Sequence, residues 1–188
     1  TTSVTISKGK ITDTQVLTWP IPANKKNIFQ VGSFDKKATG FDNSGTRQHG
    51  LTDYSPANLT YTIGTSAPSD WYYASSQLGT WSIVFNTTVP AQAKNAVLSV
   101  SLAGYSQSTS LTIHLNDNKT IGTISKDTLI SDPALYRSGT VNGEWRFLQY
   151  DIAIPELKDG ENVLSFVTER YTRWRGVMWD SIMLEWVL

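Results

Sequence analysis

The sequence contains no cysteine among its 188 residues, and its charges cancel. Without cysteine, a disulfide scaffold and a thiolate metal site are both excluded. Sixteen basic and sixteen acidic residues give a formal net charge of +0, whereas dedicated nucleic-acid-binding proteins usually carry a basic excess. No run of about 18 apolar residues occurs, so the sequence predicts no membrane-spanning helix. We therefore expect neither nucleic acid nor a membrane as a partner.

The common catalytic signatures are also missing. The chain has two histidines, His49 and His114, which lie far apart in the sequence. It has no Gly-x-Ser-x-Gly elbow, no phosphate-binding glycine loop and no His-Glu-x-x-His. We expect that this chain is not itself an enzyme. Because a glycosidase pair is formed by two carboxylates that only the fold brings together, a stand-alone carbohydrate-active enzyme using such a pair stays an alternative.

The chain does contain repeated alternation of apolar and polar residues with a period of two. Leu111, Ile113 and Leu115 alternate with polar residues, which is typical of a strand with one exposed face. Similar strand patterns, separated by turns rich in Gly, Asn and Asp, occur at residues 81–85, 97–102, 163–167 and 178–186. This organisation predicts an all-β fold, a jelly-roll-like antiparallel β-sandwich of two sheets.

Aromatic residues are abundant, with seven tryptophans and eight tyrosines. An aromatic face can hold the apolar C–H face of a pyranose ring, and its polar edge can bind hydroxyl groups. Trp81, Trp145 and Trp186 lie in strand patterns, and we expect them in the core. Five other aromatic residues are candidates for sugar contacts: Trp71, Tyr72, Tyr73, Tyr171 and Trp174.

Three of those candidates, Trp71, Tyr72 and Tyr73, are consecutive. In an extended chain at least one of the three rings must point away from the core. Stacking on a sugar at the surface and packing at the edge of the core are both open for them.

The segment 170–175 interleaves three arginines with Tyr171 and Trp174. It falls between two predicted strands, so we expect a hairpin loop. A guanidinium group matches the geometry of a carboxylate and also stacks on rings. Arg173 and Arg175 are therefore candidates to bind an acidic sugar beside the two aromatic residues. The alternative is a solvated hairpin tip whose arginines pair with nearby carboxylates.

Two further arginines, Arg137 and Arg146, each lie next to an aromatic residue and near glycines. They are weaker candidates for sugar binding, because an arginine in such a place can instead be held by loop carbonyl groups. The irregular segment 36–69 carries more cationic residues that could add positive potential, the weakest being the two lysines: Arg47, His49, Lys36 and Lys37.

Asp180 is the candidate for a metal ligand. It is in phase with Met178 and Ile182, and an unpaired carboxylate is costly on a buried face. It could bind a structural Ca²⁺, with Asp35 or Asp42 as a second ligand. Pairing with a nearby arginine is the alternative that we favour, and no cofactor is expected to be required.

Six ordered fragments extend the interpretation beyond single residues: segments 29–35, 69–73, 79–85, 132–139, 143–146 and 176–185. In this order they resemble the C-terminal carbohydrate-binding-like domain of the rhamnogalacturonan lyases of polysaccharide lyase family 4. The resemblance implies a non-catalytic module that binds an acidic pectic polysaccharide, since the lyase chemistry of that family lies in a separate N-terminal domain. It also leaves open a structural C-terminal domain that binds no sugar of its own.

The same resemblance suggests the boundaries and the location of the protein. Residues 1–22 are expected to be lead-in strands, similar to the end of a preceding small β domain, and residues 23–188 to be the sandwich. We expect a monomer that is secreted and extracellular. Sequons at Asn58, Asn86 and Asn118 are acceptors for N-glycosylation if the chain passes through a eukaryotic secretory pathway.

Overall fold

The five strands predicted from alternation are all present in the computed structural model of the protein. It describes Gly9 and residues 24–45, 54–106, 109–116, 119–125, 145–170 and 176–188. The strands within these residues are β1 (Lys25–Gly32), β2 (Leu59–Thr62), β3 (Ala74–Ser75), β4 (Gly79–Thr87), β5 (Asn95–Tyr105), β6 (Ser110–Leu115), β7 (Lys119–Ile124), β8 (Arg146–Ala153), β9 (Gly160–Arg170) and β10 (Val177–Val187). Short 3-10 turns occur at Pro68–Asp70 and Ile154–Glu156.

The strands pair into two five-stranded sheets. The first has the order β1-β10-β5-β8, with β3 beside β10, and the second has the order β2-β4-β9-β6-β7. Neighbouring strands are antiparallel except β2 and β4, which are parallel because the connection 63–78 is long enough to return the chain to the same end. The predicted all-β sandwich is confirmed, with one parallel pair at a sheet edge that the sequence pattern did not indicate.

The centre of the sandwich is an aromatic cluster. The ring of Trp71 lies edge-to-face against Trp81 and Trp179, with centroids 5.0 and 5.5 Å apart, and Phe166 packs on Trp179 at 5.0 Å. Edge-to-face contacts of this kind add to the stabilisation that comes from burial alone. Trp81 and Trp186 are buried, as predicted. No helix in the described ranges is long and apolar enough to cross a membrane.

Several strand termini meet at one end of the sandwich, called here the loop end. Strands β8 and β10 both begin beside the last residues of β5, and β9 ends where β4 and β6 begin. Strand β1 also ends on this side, next to β10. The predicted lead-in strands at residues 1–22 lie outside the described residues apart from Gly9.

Gly176 directly precedes β10 at the loop end, in a position that has no room for a side chain. A Cβ atom at this position would clash with the carbonyl oxygen of Ser75 and would lie 2.9 Å from Cα of Ser76. The carbonyl oxygen of Gly176 accepts a hydrogen bond from the Ser106 N–H at 2.9 Å. The glycine is therefore required by a close approach of two backbone segments.

We expect Gly176→Ala to destabilise the fold by about 3 kcal/mol, because backbone atoms would have to move to admit the methyl group. The matched control is Gly64→Ala, where φ is +85° and nothing lies within 4 Å. There only the left-handed backbone is penalised, by about 1 kcal/mol. Denaturant unfolding of both variants measures the difference, and equal losses would contradict the close-approach explanation.

Candidate functional site

Three exposed aromatic side chains adjoin one another at the loop end. Trp145 stacks beside Phe147 with centroids 6.2 Å apart and an interplanar angle of 22°, and Phe34 lies 6.0 Å from Phe147. The exposed fractions are 42% for Phe34, 36% for Trp145 and 40% for Phe147. These three residues are called the aromatic platform. The expectation that Trp145 is a core residue is therefore wrong.

Strand register explains why the platform faces outward. Leu98, Val100 and Leu102 of β5 are buried in the core, so Ser101 between them faces the opposite side of the sheet. Phe147 pairs with Ser101 in the β5–β8 register and shares this outer face. Trp145 comes two residues earlier and falls on the same side, at the point where β8 begins.

A cation lies directly over the platform. The ammonium nitrogen of Lys36 is 4.7 Å from the centroid of the Trp145 ring, within the range of a cation–π interaction. Lys36 has a φ of +66°, a left-handed conformation that is uncommon for residues other than glycine. The turn after β1 thus places a lysine ranked among the weakest sequence candidates beside the exposed rings.

Under the platform lies a fully buried carboxylate, that of Asp180. Its Oδ1 accepts hydrogen bonds from the backbone N–H groups of Asp35 and Lys37, both at 3.2 Å, and its Oδ2 accepts one from the hydroxyl of Ser101. The Ser101 oxygen in turn accepts a hydrogen bond from Nε1–H of Trp145 at 2.7 Å. A hydrogen-bonded chain therefore joins the buried acid to the exposed ring.

Burial raises the pKa of the Asp180 carboxyl above its ordinary value. The hydrogen bonds from Ser101, Asp35 and Lys37 act in the opposite direction, and the nearby charge of Asp35 adds to the increase. The net direction is upward, so the hydrogen bonds offset only part of the cost of removing this charge from water.

A bulge in β10 corrects the predicted surroundings of Asp180. The β10–β5 register shifts between Met178 and Trp179 and again between Trp179 and Ser181. Trp179 therefore packs into the core, while Asp180 reaches the outer face and does not share a face with Ile182. Among the described residues, the donors to the carboxylate are two backbone N–H groups and a hydroxyl, and no arginine side chain is one of them.

The described residues near Asp180 do not by themselves form a calcium site. Calcium takes about six to eight oxygen ligands. Asp35 meets Asp180 through its N–H group, and its own Oδ1 accepts a hydrogen bond from the Lys37 N–H at 3.0 Å. Asp42 forms a backbone bridge with Tyr72. Within the described part of the chain, no three His, Cys, Asp or Glu side chains lie close enough to hold a metal. Calcium binding stays an untested prediction.

The proposed surface role of Trp71, Tyr72 and Tyr73 is also corrected, because their exposed fractions are 0%, 6% and 1%. The expectation of one outward ring assumed a strand with a free face. The Asp42 N–H donates to the Trp71 carbonyl, and the Tyr73 N–H donates to the Asp42 carbonyl, so the loop carrying Phe41 lies against them. Burial, with smaller contributions from Asp42 and Tyr54, raises the pKa of Tyr72 to about 12.

Arg146 is half-buried and stands apart from the platform. It lies between Trp145 and Phe147 in sequence and pairs with Leu102, so alternation directs its side chain to the other face of the sheet. Its Nη1 donates a hydrogen bond to the Trp145 carbonyl oxygen at 3.1 Å. The remaining sequence candidates lie outside the described residues: Arg47, His49, Arg137, Tyr171, Arg173, Trp174 and Arg175.

Comparison with known proteins gives one curated relative and several solved structures. A rhamnogalacturonate lyase of Dickeya dadantii (strain 3937) is 29% identical over 140 residues, which cover 70% of this chain and 24% of the relative. A family GH115 4-O-methyl-alpha-glucuronidase aligns at TM-score 0.44 and 12% identity, over 92% of this chain and 19% of that one. A family 35 carbohydrate binding module from an environmental isolate aligns at TM-score 0.37 and 21% identity, over 83% and 91%.

The family comparison covers most of the chain. Residues 27–184 match the family described as CBM-like, polysaccharide lyase family 4, domain III. The match includes all three platform residues and Asp180. The chain therefore belongs to the CBM-like domain III family of polysaccharide lyase family 4.

Proposed function

We propose that the protein is a non-catalytic, extracellular carbohydrate-binding module for an acidic pectic polysaccharide with a rhamnogalacturonan I-like backbone. In this proposal it acts as a monomer and is normally appended to a lyase catalytic domain. The observation that supports sugar binding most directly is the aromatic platform of Phe34, Trp145 and Phe147. The family's description as CBM-like agrees with that chemistry.

The platform has the properties that a pyranose ring needs from its binding surface. Two rings inclined by only 22° give a nearly continuous apolar surface against which C–H groups can stack. Phe34 meets Phe147 at 64° and forms a wall at one side. Large aromatic side chains rarely remain this exposed together unless they contact a ligand or partner.

The cation over Trp145 supports an acidic ligand. A sugar that stacks on this ring comes within reach of the Lys36 ammonium group, which lies 4.7 Å from the ring centroid. A galacturonate carboxylate would pair with that charge, whereas a neutral hexose would gain only a hydrogen bond. The name of the bacterial relative, a rhamnogalacturonate lyase, agrees with a uronic acid in the ligand.

The segment 171–175, for which the sequence predicts a hairpin loop, adds a second part to this proposal. The residues on either side of it, Arg170 and Gly176, lie at the same end of the sandwich as the platform, beside the first residues of β6 and the last residues of β5. Tyr171, Arg173, Trp174 and Arg175 therefore stay predicted contacts to the same polysaccharide.

We expect Trp145→Ala to weaken binding to rhamnogalacturonan I by ten- to a hundredfold, which corresponds to about 1–3 kcal/mol for a central aromatic anchor. The melting temperature should change by only a few degrees, because the ring is partly exposed. Affinity electrophoresis against rhamnogalacturonan I, homogalacturonan, galactan and xylan measures both affinity and selectivity. Tyr54→Ala is the matched control, an exposed aromatic residue outside the platform.

Two outcomes would contradict this site. If Trp145→Ala binds like the wild type while Trp174→Ala does not, the segment 171–175 is the site and the platform is not. If the wild-type protein binds none of the four polysaccharides, the proposed function fails, and a structural domain that binds no sugar becomes the better explanation.

We expect Lys36→Met to reduce binding to acidic pectin severalfold and to leave galactan binding unchanged. Methionine keeps a similar apolar stem, so the change isolates the charge. The loss should shrink as salt rises, because exposed charge interactions are screened. Lys158→Met, at the opposite end of the sandwich, is the control for a general charge effect. An equal loss toward acidic and neutral polysaccharides would show that Lys36 does not select for carboxylates.

We expect a strong chelator to leave both the melting temperature and the pectin affinity unchanged, because Asp180 is bound by protein donors. A bound ion stabilises the native state by mass action, so its removal would lower the melting temperature. Scanning calorimetry with and without chelator measures this directly. A fall of several degrees that added calcium reverses would establish a metal site.

A further inference from the structure

We propose that Ser101 and Asp180 are positioning residues, which together hold the aromatic platform and Lys36 in the geometry that binds the ligand. This inference rests on the proposed function. Neither side chain is exposed, so neither touches a polysaccharide directly. Their effect is exerted through groups that are exposed.

The first step concerns the orientation of Trp145. Trp145 lies just before the first residue of β8, so strand pairing holds the backbone only on its C-terminal side. Its indole ring has one hydrogen-bond donor, and that donor is directed to the Ser101 oxygen at 2.7 Å. The bond fixes the ring about its side-chain torsions before any ligand arrives, which reduces the ordering cost of binding.

The second step concerns the direction of the hydrogen bonds. A serine hydroxyl carries a single hydrogen, and Ser101 donates it to the Asp180 carboxylate. The Ser101 oxygen can then act only as an acceptor toward the indole N–H of Trp145. Because the acceptor at the end of the chain is a carboxylate, both bonds are stronger than those of a neutral pair.

The third step joins the opposite side of the platform to the same acid. Oδ1 of Asp180 accepts the N–H groups of Asp35 and Lys37. Phe34 immediately precedes Asp35 in the sequence, and Lys36 immediately precedes Lys37. One buried carboxylate therefore places Phe34, Lys36 and, through Ser101, the ring of Trp145.

Neighbouring serines show that this arrangement is particular to Ser101. Ser99 is two residues away on the same strand and is equally buried, but it accepts its hydrogen bond from Gln149 at 3.1 Å. Ser181 donates to the Val31 carbonyl at 3.1 Å. Only Ser101, among these three, connects to the platform, so Ser99→Ala is a matched control.

The test combines Ser101→Ala, Trp145→Phe and the double variant, with affinity for rhamnogalacturonan I as the first readout. We expect about a tenfold loss for Ser101→Ala, similar to the loss of a hydrogen bond from a charge-linked network. In the Trp145→Phe background, which keeps a ring but has no N–H, Ser101→Ala should change affinity less than twofold. Ser99→Ala should bind like the wild type.

The second readout needs no ligand. Fluorine NMR of protein labelled with 5-fluorotryptophan, with the Trp145 signal assigned from Trp145→Phe, should show one sharp resonance in the wild type. That resonance should shift and broaden in Ser101→Ala and stay unchanged in Ser99→Ala. If Ser101→Ala does not fold, Asp180→Asn takes its place, because an amide keeps one acceptor for the loop but removes the acceptor of the Ser101 hydrogen; the same broadening is expected.

The outcomes separate the two proposals. A sharp, unshifted Trp145 signal together with wild-type affinity in Ser101→Ala would overturn the positioning role, even if Trp145→Ala loses binding as proposed. Equal losses for Ser101→Ala in both backgrounds would also overturn it, since the effect would not pass through the indole N–H. If no polysaccharide binds, the proposed function fails, and a resonance that broadens in Ser101→Ala still supports the hydrogen-bonded orientation of the ring.

Discussion

Burial of one carboxylate on the outer face of a sheet constrains much of the loop end. Asp180 has no exposed surface, and an ionised carboxylate without partners would be prohibitively costly there. The bulge in β10 brings it to this face, the turn after β1 bends so that two amides reach it, and Ser101 supplies a hydroxyl. The positions of the exposed groups above it follow from these three contacts.

The direction of its pKa shift determines how the contribution of Asp180 to stability depends on pH. Burial raises the pKa, so the folded protein holds the proton more tightly than the unfolded chain does. Stability from this group is therefore greatest below the ordinary carboxyl pKa and is lost as the pH rises through the raised value. At neutral pH the ionised form costs free energy. The contacts of Asp180 with Asp35, Lys37 and Ser101 connect this group to the geometry of its neighbours.

Aromatic residues illustrate how much of this arrangement the sequence could reveal. Alternation correctly predicted five of the strands and the burial of Trp81 and Trp186, because most residues of those segments alternate between a buried and an outer face. The same reasoning failed for Trp145, which lies one residue before β8, where no further alternating residues establish its face. The predicted surface role of Trp71 and its two neighbours failed because of a contact that is distant in sequence. The loop at Phe41 and Asp42 covers a face that the local sequence pattern would leave exposed.

The candidate site was harder to predict than the fold, because its determinants are single-residue irregularities. The shift in register at Trp179 moves Asp180 to the other face, and a period-two pattern contains no sign of such a bulge. Phe34 did carry a signal, since an aromatic residue between Ser33 and Asp35 in a turn is unlike a core residue. The family could be predicted from the ordered fragments that resemble it. One of these fragments begins with Gly176, which is required by the close approach to Ser75.

Three unfavourable features coincide at the loop end, and their coincidence supports the ligand binding proposed above. Lys36 adopts a left-handed backbone that costs an L-residue about 1–2 kcal/mol. The carboxyl group of Asp180 is fully buried, and the three platform rings stay partly exposed to water. Each feature alone lowers stability, and strain or desolvation of this kind persists where function requires it. All three are connected by the hydrogen bonds of one carboxylate, so a ligand that covers the rings and neutralises the lysine would recover free energy that the unliganded fold gives up.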